Sequence, residues 1–230
     1  MLIVGIHAVE SFLDKRSVEI EEVMVLDKSL LNPRIQLLVE KSRSLGVNVT
    51  RVSNIKHDAA QGIAANVRLS WEGISWCDWI TANNPNPIIM LDGVQDPHNL
   101  GACMRTACAL GAGAIIMPNR RAAPLNATAL KVASGAGAWL PVFAVSNILS
   151  CLKILQDIGY WAISCSEHAE TEVGAIKLLD KKQLIIVGSE QNGIRSSILE
   201  QSDYKVKLPT KGPIHSLNVS VALAVALALI

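Results

Sequence analysis

The sequence has no excess of charge of either sign, and this limits how it can bind a partner. Its 230 residues include 21 lysines and arginines against 20 aspartates and glutamates, a net charge of +1. A polybasic arm and a generally cationic surface are therefore excluded. If the protein binds a nucleic acid, the cationic residues of that site must be gathered locally.

Cysteine pairs and long apolar runs are also missing. The five cysteines form no Cys-x-x-Cys pair, which is typical of free thiols in a reducing compartment. The amino terminus lacks the basic stretch of a secretory signal, so we expect a cytoplasmic protein. The most apolar run, residues 219–230, is much shorter than the roughly 20 residues that a membrane-spanning helix needs. We interpret this run as a buried helix.

Several familiar cofactor and metal fingerprints are absent as well. The glycine-rich segments ALGAGAII, SGAGAW and GSEQNGIR lack the G-x-G-x-x-G spacing of dinucleotide-binding loops and the Lys-Ser/Thr pair of a P-loop. No HEXXH occurs, and Cys103 and Cys108 have no histidine at a metal-binding interval, so we expect no zinc. A dehydrogenase and a P-loop NTPase are both disfavoured.

The sequence does contain an α/β pattern in its first 69 residues. Apolar residues 8, 9, 12 and 13 predict a helix, residues 23–26 form a short apolar run, and Pro33 opens a second helix that Gly46 closes. Residues 70–86 follow, with three tryptophans and then a run of Asn and Pro that cannot hold a regular element. We interpret this segment as a linker whose tryptophans pack against a domain rather than stack on bases.

From residue 87 onward, short apolar runs alternate with amphipathic segments. The runs are residues 88–91, 114–117, 142–145, 160–164, 184–187 and 204–208. This alternation predicts a mostly parallel sheet with helices on both faces. Polar, glycine-containing loops follow three of the runs, at residues 92–105, 188–195 and 209–218. Because sites in such sheets lie at the carboxyl ends of the strands, we expect these loops to converge at one edge.

The first of these loops has the order strand, polar turn, helix. Asp96 and Pro97 suit the turn, and Asn99 is a plausible helix cap. Arg105 follows Asn99 after nearly two helical turns, so its long side chain can return toward the same end. An amide and a guanidinium could then meet at the sheet edge. The same spacing allows Asn99 to act only as a cap and Arg105 to pair with a surface acid.

Three segments carry a resemblance to a known family. DGVQDPHNLGACMRTA, LIIVGSEQNGI and HSLNVSVALAVA resemble, in this order, motifs 1, 2 and 3 of the SpoU/TrmH family of RNA 2′-O-methyltransferases. In the first 70 residues, GIHAVESFL and HDAAQGIAANV resemble the RNA-binding domain of the branch that methylates a guanosine in bacterial 23S ribosomal RNA. Closely related tRNA and rRNA enzymes share much of this likeness.

The resemblance implies a cofactor, a fold and an assembly. The cofactor is S-adenosylmethionine, the partner is ribosomal RNA, and the protein is a homodimer. Residues 1–69 would be an α/β RNA-binding domain, residues 70–86 a linker, and residues 87–230 a methyltransferase domain with a deep trefoil knot of the SPOUT type. Relatives commonly continue past the run LAVALALI with a few aromatic or charged residues, so we expect a shortened chain to have a weaker final helix and dimer contact.

The motifs also imply which residues form the site. By position, the candidate catalytic residues are Arg105, Asn99, Glu190, Ser216 and Asn218. The positions whose main chain holds the cofactor in this family are Gly188, Leu208 and Leu217. A normal guanidinium offers no lone pair, so we expect Arg105 to bind phosphate and stabilise the developing alkoxide rather than act as a base.

Alternatives remain for individual residues and for the whole chain. Glu190 could cap a helix start near Gly193, and Ser216 could cap the last helix. Candidate RNA-binding cations of the catalytic domain are Arg120, Arg121, Lys131 and Lys211. The substrate could instead be tRNA or another rRNA nucleotide, and a non-catalytic RNA-binding or ribosome-assembly module is the alternative of another class.

Overall fold

The computed structural model describes residues 1–55, 57, 60–176, 180–213 and 216–230, which form two β-sheets with flanking helices. The strands of the first sheet are β1 (Leu2–Val4), β2 (Ile20–Leu26), β3 (Val49–Val52) and β4 (Ile63–Val67). Their order is β1-β4-β2-β3, with β4 antiparallel to β1 and β2, and β2 parallel to β3. Helices α1 (Ile6–Lys15) and α2 (Pro33–Ser44) flank this sheet.

Both helices lie where the apolar spacing predicts them. One face of α1 is buried, and it consists of Ala8, Val9, Phe12 and Leu13. Pro33 opens α2, where its missing N–H costs no hydrogen bond, and the Asn32 side chain accepts a hydrogen bond from Arg34 N at 3.0 Å. Local sequence signals therefore set the helix boundaries of this part of the chain.

The tryptophan-rich segment contains a helix, α3 (Trp76–Asn83), that its composition does not predict. Asn84 ends this helix in the left-handed conformation, with φ of 47°, and no regular element follows before residue 88. The prediction that the tryptophans pack is confirmed. Trp71 is only 5% exposed, and the ring centroid of Trp79 lies 5.5 Å from that of Phe143.

The second sheet has seven strands, and all of its pairings are parallel. Its strands are β5 (Ile88–Asp92), β6 (Ala114–Pro118), β7 (Val142–Val145), β8 (Tyr160–Cys165), β9 (Thr171–Glu172), β10 (Lys182–Gly188) and β11 (Tyr204–Lys207). Their order is β7-β6-β5-β10-β8-β11-β9. The predicted parallel sheet is confirmed, and all six apolar runs are strands of it.

The helices of this part form two contact groups, as expected for a sheet covered on both faces. They are α4 (Pro97–Ala109), α5 (Ala127–Val132), α6 (Ile148–Asp157), α7 (Ser196–Gln201) and α8 (Val219–Leu229). Helix α4 contacts α5 and α8, while α6 contacts α7. Among the described residues, no helix has the length and hydropathy to cross a membrane.

Strand β10 occupies the centre of the seven-stranded sheet, between β5 and β8, although it follows both in sequence. Every residue of β5 is buried, because the strand has neighbours on both sides and helices around it. The trefoil knot stays a prediction, because the chain that leads from β11 to α8 includes residues 214 and 215, which lie outside the described ranges.

Helix α1 joins the first sheet to the second. Arg16 Nε, beyond the end of α1, donates to Ala138 O at 2.5 Å, and its Nη1 donates to Glu19 Oε1 at 2.6 Å and to Ser70 Oγ at 2.7 Å. The guanidinium also lies 5.1 Å from the centre of the Trp71 ring. One residue therefore ties together α1, the tryptophan segment and the second sheet's domain.

Candidate active site

A cavity of about 270 Å³ lies at the carboxyl ends of β8, β10 and β11. The loop after β10 and the start of α8 form much of its wall. Five of the predicted site residues line it: Gly188, Glu190, Leu208, Ser216 and Leu217. The cavity therefore lies at the sheet edge where the polar loops predict a site.

Glu190 connects the three motif segments through one carboxylate oxygen. Its Oε1 accepts hydrogen bonds from Asn218 Nδ2 at 2.5 Å, from Asn99 Nδ2 at 3.3 Å and from Val219 N at 3.4 Å. Asn218 Nδ2 also donates to Asn99 Oδ1 at 3.0 Å. Asn99, which is 91 positions from Glu190 in the sequence, and Asn218, which is 28 positions from it, thus both bind Glu190. The alternative that Glu190 caps the helix near Gly193 is wrong, because α7 has no side-chain cap.

The electrostatic effect of Glu190 extends to the thiol of Cys103 on α4. Burial raises the pKa of Cys103 to about 12, and the negative charge of Glu190 adds to this effect. The thiol therefore stays protonated at neutral pH and is a poor nucleophile. Within the described ranges, no group of three or more His, Cys, Asp or Glu side chains could hold a metal ion.

The side chain of Asn218 is fixed at both of its ends. Its Oδ1 accepts hydrogen bonds from Ser220 N at 3.0 Å and from Ser220 Oγ at 2.7 Å, so Asn218 caps α8. The interpretation of Ser216 as this cap is wrong. Asn99 is not a cap either, because Asp96 Oδ1 accepts from His98 N at 2.9 Å and begins α4. Asn99 is the third helical residue, and its amide is free to reach Glu190.

Gly188 ends β10 where no side chain fits. A Cβ atom there would lie 2.1 Å from the carbonyl carbon of Gly193 and 2.4 Å from Ile194 N. The loop folds back because Ser189 and Gly193 exchange backbone hydrogen bonds of 2.9 and 3.2 Å. The space that a side chain would occupy is filled by the protein's own loop.

Arg105 lies apart from the hydrogen-bonded cluster. Six residues along α4 place it about 9 Å from Asn99 along the helix axis and about a third of the circumference away. Its side chain is exposed, and it does not line the cavity. Within the described part of the chain it makes no hydrogen bond or ion pair, so the alternative that it pairs with a surface acid is wrong.

An ion pair between a buried aspartate and an exposed arginine anchors the loop after β10, and it is not among the predictions from the sequence. Asp92, 2% exposed at the end of β5, accepts from Arg195 N at 2.9 Å and lies 2.7 Å from Arg195 Nη2. The carbonyl of Asp92 also accepts from Ser189 N at 3.0 Å. Two features of the sequence could have indicated this pair. Asp92 directly follows one predicted strand, and Arg195 ends the polar loop after another.

One buried hydroxyl on the cavity wall has no partner in the protein. Thr210 Oγ1 is inaccessible to solvent and makes no hydrogen bond among the described residues. Buried polar groups are rarely left unsatisfied, so this hydroxyl fits a ligand that brings its own polar atoms. Leucines and valines on the same wall supply apolar contact.

Two family models together match nearly the whole chain. The model described as the SpoU rRNA Methylase family matches residues 86–228, and the model for RNA 2′-O ribose methyltransferase substrate binding matches residues 2–70. Among similar proteins is the 23S rRNA (guanosine-2′-O-)-methyltransferase RlmB of Xylella fastidiosa, 39% identical over 98% of this chain and 93% of the relative. RlmB of Photobacterium profundum is 38% identical over 98% of this chain and 95% of its own.

Solved structures share the fold at lower identity. The SpoU methyltransferase AviRb of Streptomyces viridochromogenes, in complex with AdoMet, has a TM-score of 0.78 at 19% identity and covers 99% of this chain and 88% of its own. The AdoMet-bound rRNA methyltransferase of Sinorhizobium meliloti has a TM-score of 0.76 at 22% identity, and the match covers 98% of this chain and 84% of the methyltransferase chain. At sequence identities this low, the similarity to these two structures shows a shared fold and nothing more.

Proposed function

Because this chain belongs to the SpoU rRNA methylase family, we propose that it methylates the ribose 2′-hydroxyl of a guanosine in large-subunit (23S) ribosomal RNA. The relatives that carry this activity in their names match almost from end to end. The observation that carries the proposal is the hydrogen-bonded cluster of Glu190, Asn99 and Asn218 beside the cavity. A module that only bound RNA would have no use for it.

The proposal divides the chain into an RNA substrate-binding domain (residues 1–69), a linker (70–86) and a catalytic domain (87–230) with a trefoil knot. The family models, which end at residue 70 and begin at residue 86, support this division. The place of action is the cytoplasm, since the proposed substrate is ribosomal RNA.

S-adenosylmethionine supplies the methyl group. The cavity fits this cofactor because it combines an apolar wall, exposed strand-end backbone and the unpartnered hydroxyl of Thr210. The main chains of Gly188, Leu208 and Leu217 would hold it, and all three residues line the cavity. Burial of Thr210 favours a hydrogen bond to the ligand over one to water.

The polar residues have two roles in the proposed reaction: some orient the reacting groups, and one stabilises the developing negative charge. Asn99, Glu190 and Asn218 form a fixed cluster that positions the reacting groups, and Ser216 adds a hydroxyl on the cavity wall. Arg105 binds an RNA phosphate and stabilises the developing alkoxide, because a guanidinium with a pKa above about 12 has no lone pair to accept a proton. The proton leaves through phosphate or water.

The same proposal includes a homodimer built on α4 and α8. These helices pack together, yet Val221 and Leu229 of α8 are 47% and 46% exposed, and Leu110 at the end of α4 is 45% exposed. Exposed apolar residues on two helices that pack together favour contact with a second copy. Because Arg105 lies on α4 but does not line the cavity of its own subunit, we infer that in the dimer it serves the cavity of the other subunit.

Mixing two inactive variants tests this arrangement. Arg105→Ala and Glu190→Ala each lose activity alone. If Arg105 acts across the dimer, co-refolded variants regain about a quarter of the wild-type rate, because half of the randomly formed dimers are mixed and each has one intact site. An inactive mixture that nevertheless contains mixed dimers would place Arg105 in its own subunit's site.

Methyl transfer from labelled cofactor to unmodified rRNA tests the activity itself. We expect label in 23S rRNA, on the 2′-oxygen of a single guanosine, and none with Glu190→Ala. Label in tRNA alone would move the substrate to the tRNA enzymes of the family. RNA binding without any transfer would identify a binding module.

A further inference from the structure

Two adjacent arginines, Arg120 and Arg121, form an exposed turn at the carboxyl end of β6. Within the described residues, neither side chain makes a hydrogen bond or an ion pair. The turn lies on the same sheet edge as the active-site cavity. Because β5 alone separates β6 from β10, the turn lies about two strand spacings, roughly 10 Å, from β10, the nearest strand of the cavity wall.

The backbone of this turn is held in an unfavourable conformation. Arg121 has φ of 55°, in the left-handed region that non-glycine residues rarely adopt. Backbone hydrogen bonds fix the turn on both sides: Asn119 N donates to Val145 O at 2.9 Å, and Ala123 N donates to Val94 O at 2.7 Å. The second of these bonds ties the turn to the motif 1 loop. Strain of this kind persists where the surrounding structure imposes it, often at functional sites.

Nearby acids do not explain the two positive charges. Asp92 is bound by Arg195, and Asp96 accepts from the start of α4. Lys131, another candidate cation of this domain, is already bound to Gln61 Oε1 at 2.7 Å. Next to the turn, a cavity of about 420 Å³ is lined by polar residues such as Asn119 and Asn147 and by apolar residues such as Trp76 and Ile154, so the adjacent surface is concave.

We propose that Arg120 and Arg121 bind a backbone phosphate of the substrate RNA next to the methylated nucleotide. This rests on the proposed function, since RNA is the expected substrate. Two guanidinium groups match the oxygens of a phosphodiester, and a nearly neutral protein needs such a local site. The turn's attachment to the motif 1 loop then sets the register of the RNA relative to the catalytic cavity.

The test compares RNA binding by wild type and by the double variant Arg120→Ala/Arg121→Asn. Asparagine tolerates the left-handed conformation, so the turn is retained without its charges. The probe is an unmodified in vitro transcript of 23S rRNA, and its affinity is measured at several salt concentrations. We expect about a tenfold loss of affinity and a salt slope reduced by about 0.7–0.9, because one phosphate is no longer neutralised.

The controls separate phosphate binding from a folding defect. Lys181→Ala/Lys182→Ala removes two charges at the opposite end of the sheet and should leave RNA affinity unchanged. Arg120→Lys/Arg121→Lys should keep the salt slope. Cofactor affinity should be unchanged in all variants, and the KM for RNA should rise in the double variant while kcat is kept.

Wild-type affinity, or an unchanged salt slope, in the charge-free double variant would overturn the proposal. The binding readout does not depend on methyl transfer. If the wild type bound RNA through these arginines but transferred no methyl group, the proposed function would fail and the phosphate site would stand.

Discussion

At the scale of single residues, the side chain of Asn218 has both a structural role, at the start of α8, and a role in the site. Its amide oxygen caps α8, and its amide nitrogen binds Asn99 and the carboxylate of Glu190. A single substitution can therefore reduce both stability and activity. Two substitutions can separate these effects, because serine is as good a helix cap as asparagine but has no amide donor.

We predict that Asn218→Ala lowers the free energy of unfolding by about 1 kcal/mol through loss of the cap. Asn218→Ser should restore most of this stability. Both variants should transfer methyl groups about tenfold more slowly or worse, since a hydrogen bond to a charged group contributes about 1.5–3 kcal/mol. Denaturant unfolding and single-turnover methylation give the two quantities. A serine variant with full activity would show that Glu190 does not need the amide.

The buried thiols make stability depend on pH. Burial raises the pKa of Cys103 and of Cys151 from 9.0 to about 12. A thiol with a raised pKa in the folded state contributes stability that is complete below pH 9 and is lost as the pH rises toward 12. We predict a falling free energy of unfolding across this range, measured with denaturant at fixed pH values. Cys151→Ala should show a shallower fall, and equal slopes would contradict the effect.

At the scale of elements, the loop after β10 positions the site. Its two ends are fixed by the Ser189–Gly193 backbone pair and by the Asp92–Arg195 ion pair. Glu190 lies between these anchors. These anchors fix the backbone on both sides of Glu190, and its carboxylate is then held by the hydrogen bonds from Asn99 and Asn218.

We predict that Gly188→Ala disrupts this loop. The new methyl group would overlap the backbone of residues 193 and 194, which cannot move without breaking the Ser189–Gly193 pair. The free energy of unfolding should fall by about 1–3 kcal/mol or more, and cofactor affinity should fall with it. Gly174→Ala is the matched control, since a methyl group there meets no atom within 4 Å. Calorimetric cofactor binding and thermal unfolding check the outcome.

The sequence predicts regular elements better than it predicts the contacts between them. The six apolar runs are strands because continuous burial depends on local composition. The sequence does not predict helix α3 because its burial depends on tertiary contacts, such as that of Trp79 with Phe143. The Asp92–Arg195 pair joins residues 103 positions apart. The family motifs indicate that Glu190, Asn99 and Asn218 belong to the site. They do not predict the hydrogen bonds among these residues, because those depend on how the three segments fold together.

At the scale of the whole molecule, Arg16 joins the two sheets. It contacts the backbone of Ala138, and its partner Glu19 is a carboxylate that is only 8% exposed. Removing the arginine alone would leave this carboxylate buried without its cation, which is strongly destabilising. The double variant Arg16→Ala/Glu19→Gln avoids that cost and isolates the junction.

We predict that this double variant unfolds in two thermal transitions instead of one. It should retain cofactor affinity, because the cavity is distant in sequence and lies in the second sheet's domain. The kcat/KM for rRNA should fall, because the substrate-binding domain is no longer held in a fixed orientation. A single transition at the wild-type temperature, seen by differential scanning calorimetry, would show that Arg16 does not hold the domains together.

The central position of β10 has a consequence during protein synthesis. Strands β5 and β8 emerge from the ribosome first, and each waits with an unpaired edge for a neighbour that has not yet been made. Pairing across such a sequence separation is slow. A nascent chain halted before residue 182 should therefore aggregate and be cleaved readily by protease. A nascent chain that includes α8 should resist both aggregation and proteolysis.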